Sequence, residues 1–290
     1  MAHFRQSNYR EFLPAENLLN YVECYYYLYI SQKDSFSDNH IILPDGSSEV
    51  IFNCGLKYSK LPFDGLDATY AALPARSYII GQKTKSFVMK YEGDNEVWGI
   101  RFKPYGLYTF LGSSLDDAEE KQIDSESIWP EIRSLEEQIF LSTSLSHMKK
   151  LTDEFLSHSF KVKHYSIPTH IMELAKVIVN TKGTAPVRTV FRNFAKCPRS
   201  LEIEFKKYTG LTTKSFSNLI RLGFSRILVS NNRSLSEIAY SCGYFDQSHF
   251  IRQFKKFTGM PPGRFKTTRH LNDMHLSSLK TKLAFDRNRQ

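Results

Sequence analysis

The residues best suited to chemistry lie near the C-terminal end, where cationic and hydroxyl side chains recur at helical spacing. At roughly 100° per residue, Ser248, Arg252 and Lys255 share one face of a predicted helix. Arginine can hydrogen-bond to base edges, and lysine can neutralise backbone phosphates. The spacing therefore predicts a surface for nucleic acid.

Residue patterns typical of enzymes and metal sites do not occur in the sequence. The nine histidines form neither an HxH nor an HExxH arrangement, Gly46-Ser47-Ser48 lacks the elbow of a serine hydrolase, and no glycine-rich phosphate loop is found. The four cysteines are widely spaced, which indicates neither a zinc site nor a disulfide framework. Asp45 and Glu49 are interpreted as turn residues that face solvent, and Cys197 and Cys242 as packing residues. We expect no catalytic residues, no metal and no cofactor.

One phrase occurs twice, 49 residues apart. FKKYTG begins the segment Phe205 to Phe216, and FKKFTG begins the segment Phe254 to Phe265. The repetition predicts two copies of one helical unit. Gly210 and Gly259 are predicted to end the two helices, because glycine readily adopts the left-handed conformation common at helix C-termini.

Each predicted helix carries an apolar stripe that can bury it against the rest of its unit. The stripes comprise Leu201, Phe205 and Tyr208 in the first helix, and Phe250, Phe254 and Phe257 in the second. Upstream of the second helix, Ser234 and Glu237 have the spacing of a capping box. Gly243 can supply a positive φ in a turn, and Asp246 is a natural N-cap. Together these features predict a helix-turn-helix.

Charge is divided sharply along the chain. Residues 1–165 carry 17 Lys+Arg against 23 Asp+Glu, whereas residues 166–290 carry 22 against 7. The first part is therefore acidic, with a balance of −6, and the second is basic, with a balance of +15, which together give the net charge of +9. A cationic domain gains binding free energy when phosphates displace its counterions, so this division favours DNA as a partner.

A continuous motif spans the second unit. It comprises Ser234-Leu235-x-Glu237-Ile238-Ala239, Gly243-Tyr244-x-Asp246-Gln247-Ser248-His249-Phe250, Arg252-x-Phe254-Lys255-Lys256 and Gly259-Met260-x-Pro262. This motif resembles the AraC/XylS transcription regulators, and the resemblance covers about 100 residues, from Pro168 to Lys266. It implies two helix-turn-helix units bridged by a long helix, here over 216–230.

We expect the second helix of each unit to enter the major groove, with the two grooves about 34 Å apart. Base contacts are assigned to Arg199, Ser200, Glu202, Gln247, Ser248 and Arg252. Phosphate contacts are assigned to Lys206, Lys255 and Lys256. Arginine suits guanine, glutamine suits adenine, and glutamate can accept from cytosine N4. The expected partners are double-stranded DNA and the transcription machinery.

The N-terminal half is predicted to contain strands followed by helices. Residues His40 to Phe52 are predicted to form a hairpin that turns at Pro44-Asp45-Gly46. Two helices are predicted over Trp129 to Phe140 and Ser144 to Phe160. The segment Leu43-Pro44-Asp45-Gly46 to Ile51-Phe52-Asn53, with Gly99-x-Arg101-Phe102-x-Pro104-x-Gly106, resembles the cupin-like sensory domain of some AraC-type regulators. That resemblance implies a small-molecule effector, and a homodimer held by the helices.

These observations predict an α+β fold. Residues 1–165 form a small antiparallel β-barrel or sheet with helices, residues 166–268 form an all-α domain with helix-turn-helix units at about 188–209 and 235–258, and residues 269–290 form a basic tail. The chain shows no membrane span or secretory segment, so we expect a cytoplasmic protein. Two alternatives stay open: an architectural DNA-binding protein without effector, and an enzyme domain tethered to a DNA-binding module.

Overall fold

The computed structural model describes residues 9–31, 39–54, 58–62, 71–72, 76–91, 94–113, 122–231 and 233–267. The predicted basic tail lies outside these ranges. The strands are β1 Tyr9–Phe12, β2 Val22–Ile30, β3 Asn39–Ile42, β4 Ser48–Asn53, β5 Tyr58–Pro62, β6 Ala71–Ala72, β7 Ser77–Ile80, β8 Phe87–Tyr91, β9 Asn95–Phe102 and β10 Gln122–Asp124. The helices are α1 Gly106–Leu111, α2 Ser125–Ile128, α3 Ile132–Leu141, α4 Leu145–Val162, α5 Thr169–Asn180, α6 Val187–Phe191, α7 Pro198–Thr209, α8 Thr213–Ser230, α9 Leu235–Ser241, α10 Gln247–Thr258 and α11 Pro262–Thr267.

The strands form two antiparallel sheets. One has the order β1-β2-β9-β4-β7-β10 and the other the order β3-β8-β5-β6. Strand β2 is buried on both faces, since Tyr25 and Tyr27 pack with α3 and α4 while Tyr26 and Leu28 pack on the opposite face. Alternate side chains of a strand point to opposite faces, so β2 separates two cores.

The hairpin predicted for residues 40–52 is wrong. Strand β3 pairs with β8 in the four-stranded sheet, whereas β4 pairs with β7 and β9 in the six-stranded sheet. The segment between β3 and β4 crosses from one sheet to the other because its side chains contact residues outside the predicted hairpin. Leu43 is buried with residues of the C-terminal helices, and Asp45 lies 4.0 Å from Arg101.

The C-terminal helices enclose two cores joined by α8. Phe216 and Ile220, in the N-terminal part of α8, pack with α5, α6 and α7. Leu222 and Val229, further along α8, pack with α9, α10 and α11. The α+β fold with two helix-turn-helix units joined by a long helix is thus confirmed, and the bridging helix begins three residues earlier than expected, at Thr213. The boundary at residue 165 stays a prediction.

No helix within the described ranges is both long and apolar enough to span a bilayer.

Candidate nucleic-acid interface

Helix α10 separates an aromatic side from a polar one. Phe250 and Phe254 are fully buried, and their rings pack edge to face with centroids 5.5 Å apart. Asp246 caps the helix by accepting from the backbone N–H of His249 at 2.6 Å. All five residues predicted here to contact DNA are exposed: Gln247, Ser248, Arg252, Lys255 and Lys256. The buried rings thus fix the helix so that its cationic face points to solvent.

The turn before α10 follows the sequence prediction. Ser234 and Glu237 form a capping box at the start of α9, and Gly243 has φ +67° in the turn. The Ser236 hydroxyl donates to the Gln247 side-chain oxygen at 2.8 Å, which ties α9 to the start of α10. Ala239 is buried, as expected where two helices cross closely.

The two units repeat in their hydrogen bonds as well as in sequence. The Thr209 hydroxyl donates to the Phe205 carbonyl, and the Thr258 hydroxyl to the Phe254 carbonyl, each at 2.7 Å. Gly210 and Gly259 both have φ +76° and end their helices. The duplicated phrase is therefore a duplicated helix end.

Helix α7 differs from α10 on its outer side. Arg199 and Lys206 are exposed, as predicted for DNA contacts. The Ser200 hydroxyl instead donates to Glu204 at 2.9 Å. The Glu202 carboxylate accepts from the backbone N–H of Thr213 at 3.2 Å and from the Thr213 hydroxyl. Base contact by Ser200 and Glu202 stays a prediction, and both already have partners within the protein.

Sequence reasoning missed the role of Glu202 at the start of α8, although the repeat contains a signal. At the offset of 49 residues, Thr213 corresponds to Pro262, and Glu202 corresponds to Ile251. Proline has no backbone N–H, so the second unit needs no acceptor at this place. The first unit thus has both the carboxylate and the backbone N–H that donates to it, and the second unit has neither.

Glu204 is the centre of a small polar cluster on α7. It accepts from the Lys196 ammonium at 2.8 Å and lies 2.6 Å from Nε2 of His170. Hydrogen bonding from Lys196, with help from Ser200, lowers the pKa of Glu204 to about 2. Cys197 is exposed and caps α7 through its sulfur, so the prediction that it packs in a core is wrong, whereas Cys242 is buried as predicted.

Helix α7 also faces the N-terminal half. The Tyr108 ring of α1 packs edge to face on Tyr208, with centroids 4.8 Å apart. A cleft of about 540 Å³ opens beside this contact. It is lined by Tyr108, Gly112 and Ser113 from the N-terminal half and by Glu202, Ile203, Lys206 and Lys207 from α7.

The N-terminal half holds a buried ionic network that the sequence interpretation misplaced. Glu49 is 4% exposed and accepts from Nε of Arg101 at 3.0 Å. Lys83, also buried, lies 3.3 Å from Glu49 and 3.8 Å from Asp45. Burial acts to lower the pKa of Arg101, but the charges of Glu49, Asp45 and other neighbours together raise this pKa well above its ordinary value. Asp45 and Glu49 therefore do not face solvent, because two buried cations hold them inside the fold.

Among the residues that the structure describes, no group of three or more His, Cys, Asp and Glu side chains is placed to hold a metal ion.

The fold and the two exposed helix faces define a helix-turn-helix module, and comparison with known families agrees. Residues 192–268 match the helix-turn-helix domain family. Residues 10–124 match a domain of unknown function (DUF6597). The C-terminal domain is therefore a helix-turn-helix domain of the AraC type.

Curated relatives are similar to this chain over the same domain. The transcriptional activator RhaS of Escherichia fergusonii is 35% identical over 77 residues, which are 26% of this chain and 28% of the activator. RhaS of Salmonella arizonae is 37% identical over 68 residues, 23% of this chain and 24% of that protein. The chain thus spans about a quarter of the length of the curated relatives it matches.

Two solved structures show low similarity. ToxT from Vibrio cholerae is 14% identical with a TM-score of 0.45, covering 90% of this chain and 98% of that one. The C-terminal domain of AraT, a response regulator from Geobacillus stearothermophilus, is 22% identical with a TM-score of 0.34, covering 37% of this chain and 91% of that one.

Proposed function

We propose that the protein is a sequence-specific DNA-binding transcription regulator that places α7 and α10 in adjacent major grooves. The observation that carries this proposal is the outer face of α10, where two amide or hydroxyl residues and three cations are exposed above fully buried aromatic rings. The same helix end recurs in α7 with Arg199 and Lys206 exposed. Two such helices on one cationic domain suit two grooves on one side of a duplex.

The proposed base contacts are made by Arg252, Gln247 and Ser248 in α10 and by Arg199 in α7. Arginine can bond to guanine in a bidentate manner, and glutamine can do so with adenine. Ser200 and Glu202 stay candidates that would first have to leave their present partners. Phosphate contacts are proposed for Lys206, Lys255 and Lys256, whose ammonium groups can displace counterions.

The experiment that tests this function is selection of bound sequences from a random DNA pool, followed by affinity measurements on selected and scrambled duplexes. Arg252→Ala should cost about 1–3 kcal/mol on the selected site and relax base choice at one position. Lys255→Ala should weaken both duplexes about equally and reduce the salt slope by about 1. Arg133→Ala, an exposed arginine of α3, is the matched control and should change neither affinity. Equal binding to every sequence would instead support an architectural protein.

We further propose that an effector bound in the N-terminal half controls DNA binding, and that loop 43–47 transmits its effect. This loop touches both parts: Asp45 lies in the ionic network, and Leu43 packs in the core of the second helix-turn-helix unit. At Gly46, with φ +76°, an added Cβ would lie 2.9 Å from the Phe216 ring of α8. A mixture of cell metabolites should change the affinity for the selected site, and Gly46→Ala should reduce that change without abolishing DNA binding.

We also propose that the protein is not an enzyme, acts in the cytoplasm, forms homodimers and contacts the transcription machinery. The match to a helix-turn-helix domain and the similarity to transcriptional activators support a regulatory role. Turnover of a metabolite by the full chain would contradict the first point. Sedimentation with and without the selected duplex tests dimer formation.

A further inference from the structure

A large aromatic side chain is fully open to solvent next to the proposed base contacts. Phe245 is 92% exposed and directly precedes Asp246, the N-cap of α10. Its neighbour Tyr244 is turned inward, with its ring 5.3 Å from that of Phe250. The backbone N–H of Phe245 donates to Nδ1 of His249 at 3.3 Å, which holds its main chain against the first turn of α10.

The position of Phe245 places it at the end of α10 that meets base edges. In helix-turn-helix proteins, residues at the N-terminal end of the recognition helix reach into the major groove. Gln247 lies two residues further on, exposed and bonded to Ser236 of α9. An apolar ring at this end, on a helix whose other exposed groups include Arg252 and Lys255, suits a DNA partner, because the cations are complementary to phosphates.

The chemistry of the ring selects one feature of the groove. Phenylalanine offers no hydrogen bond, and the apolar group that a base pair presents in the major groove is the C5 methyl of thymine. We propose that Phe245 contacts a thymine methyl group at the half-site bound by α10 and so contributes to base choice there. This assignment rests on the proposed function and adds a specificity-determining residue to it.

The repeat indicates that the contact belongs to one unit. At the offset of 49 residues, Phe245 corresponds to Lys196, whose ammonium pairs with Glu204 at 2.8 Å. The two helices therefore present different groups at the same place, an apolar ring in one case and a paired cation in the other. The DNA site should accordingly have a thymine preference in the α10 half-site without a counterpart in the α7 half-site.

The test uses the full chain and the duplex obtained by random-pool selection. Each thymine of that duplex is replaced in turn by deoxyuridine, which removes only the methyl group, and the dissociation constant is measured. Wild-type protein should bind about fourfold more weakly when one particular thymine is replaced, the loss expected for one buried methyl group. Phe245→Ala should bind the unmodified duplex more weakly by a similar factor and become indifferent to uracil at that position.

Tyr240→Ala is the matched control, because Tyr240 is an equally exposed aromatic residue, 88% accessible, on α9. It should retain the uracil sensitivity of wild type. Two results would overturn the role of Phe245 while leaving the proposed function intact. One is that no uracil substitution weakens binding of the wild-type protein, and the other is that Phe245→Ala keeps the uracil sensitivity of wild type. If Phe245→Ala changed transcription but kept the uracil sensitivity of wild type, the thymine contact would likewise be overturned and the ring would be assigned to a protein partner. Failure to select any sequence would overturn the proposed function itself.

Discussion

Glu202 provides the sharpest test of how α7 is used, because its carboxylate serves the protein in the structure but was assigned to base contact from the sequence. The perturbation is Glu202→Ala. Thr213 is fully buried, and Glu202 accepts from both its backbone N–H and its hydroxyl. Removing the carboxylate leaves these donors without that acceptor. A buried unsatisfied donor costs about 1–3 kcal/mol, and because Glu202 is only half-buried, water can offset part of the loss. We expect a loss of about 2 kcal/mol in the free energy of unfolding.

The assay is urea unfolding followed by helical circular dichroism, together with random-pool selection on the same variant. Arg199→Ala, at an exposed position on the same helix, is the control and should change stability by less than about 0.5 kcal/mol while weakening DNA binding. The double variant Glu202→Ala with Thr213→Pro should recover most of the lost stability, since Pro262 occupies the equivalent position in the second unit and proline is favourable at a first helical position.

Two results would contradict this role of Glu202. One is that the change in unfolding free energy of the double variant equals the sum of the changes in the two single variants. Such additivity would show that Glu202 does not stabilise the fold by accepting from the Thr213 N–H. The other is an unchanged stability of Glu202→Ala combined with a shift in the selected sequence at one base pair. That outcome would support Glu202 as a base contact.

Three further predictions concern stability. Phe254→Ala and Phe205→Ala should each cost about 3–5 kcal/mol in thermal or urea unfolding, since both rings are fully buried at equivalent places; a large difference between them would contradict equivalent packing. Asp246→Ala should cost about 1 kcal/mol whereas Asp246→Asn should cost little, because asparagine also caps helices; equal losses would show that charge rather than capping matters. The lowered pKa of Glu204 stabilises the fold above about pH 4.5, and this stabilisation is lost as the pH falls toward 2. In an acid titration of unfolding, Lys196→Ala should therefore gain less stability between these two pH values than wild type. An unchanged profile would contradict the ion pair.

Elements whose causes are local could be predicted from residue types and spacing. The capping box at Ser234, the cap at Asp246 and the helix ends at Gly210 and Gly259 all lie where expected. In each case the interacting groups are within one helical turn, so residue type and spacing specify the hydrogen bonds. The repeat added the equivalence of the two units, and the stripe of Phe250 and Phe254 specified which side of α10 is buried.

Features that depend on partners distant in the sequence could not be predicted, because they are set by the tertiary fold. Residues 40–52 have the composition of a hairpin, but the loop between β3 and β4 is held by Arg101, Lys83 and residues of α8, so the two strands enter different sheets. Glu202 was assigned to the DNA-facing side of α7, but its carboxylate accepts from Thr213, eleven residues later at the start of α8. Such pairings depend on chain reversal and burial, which local periodicity does not encode.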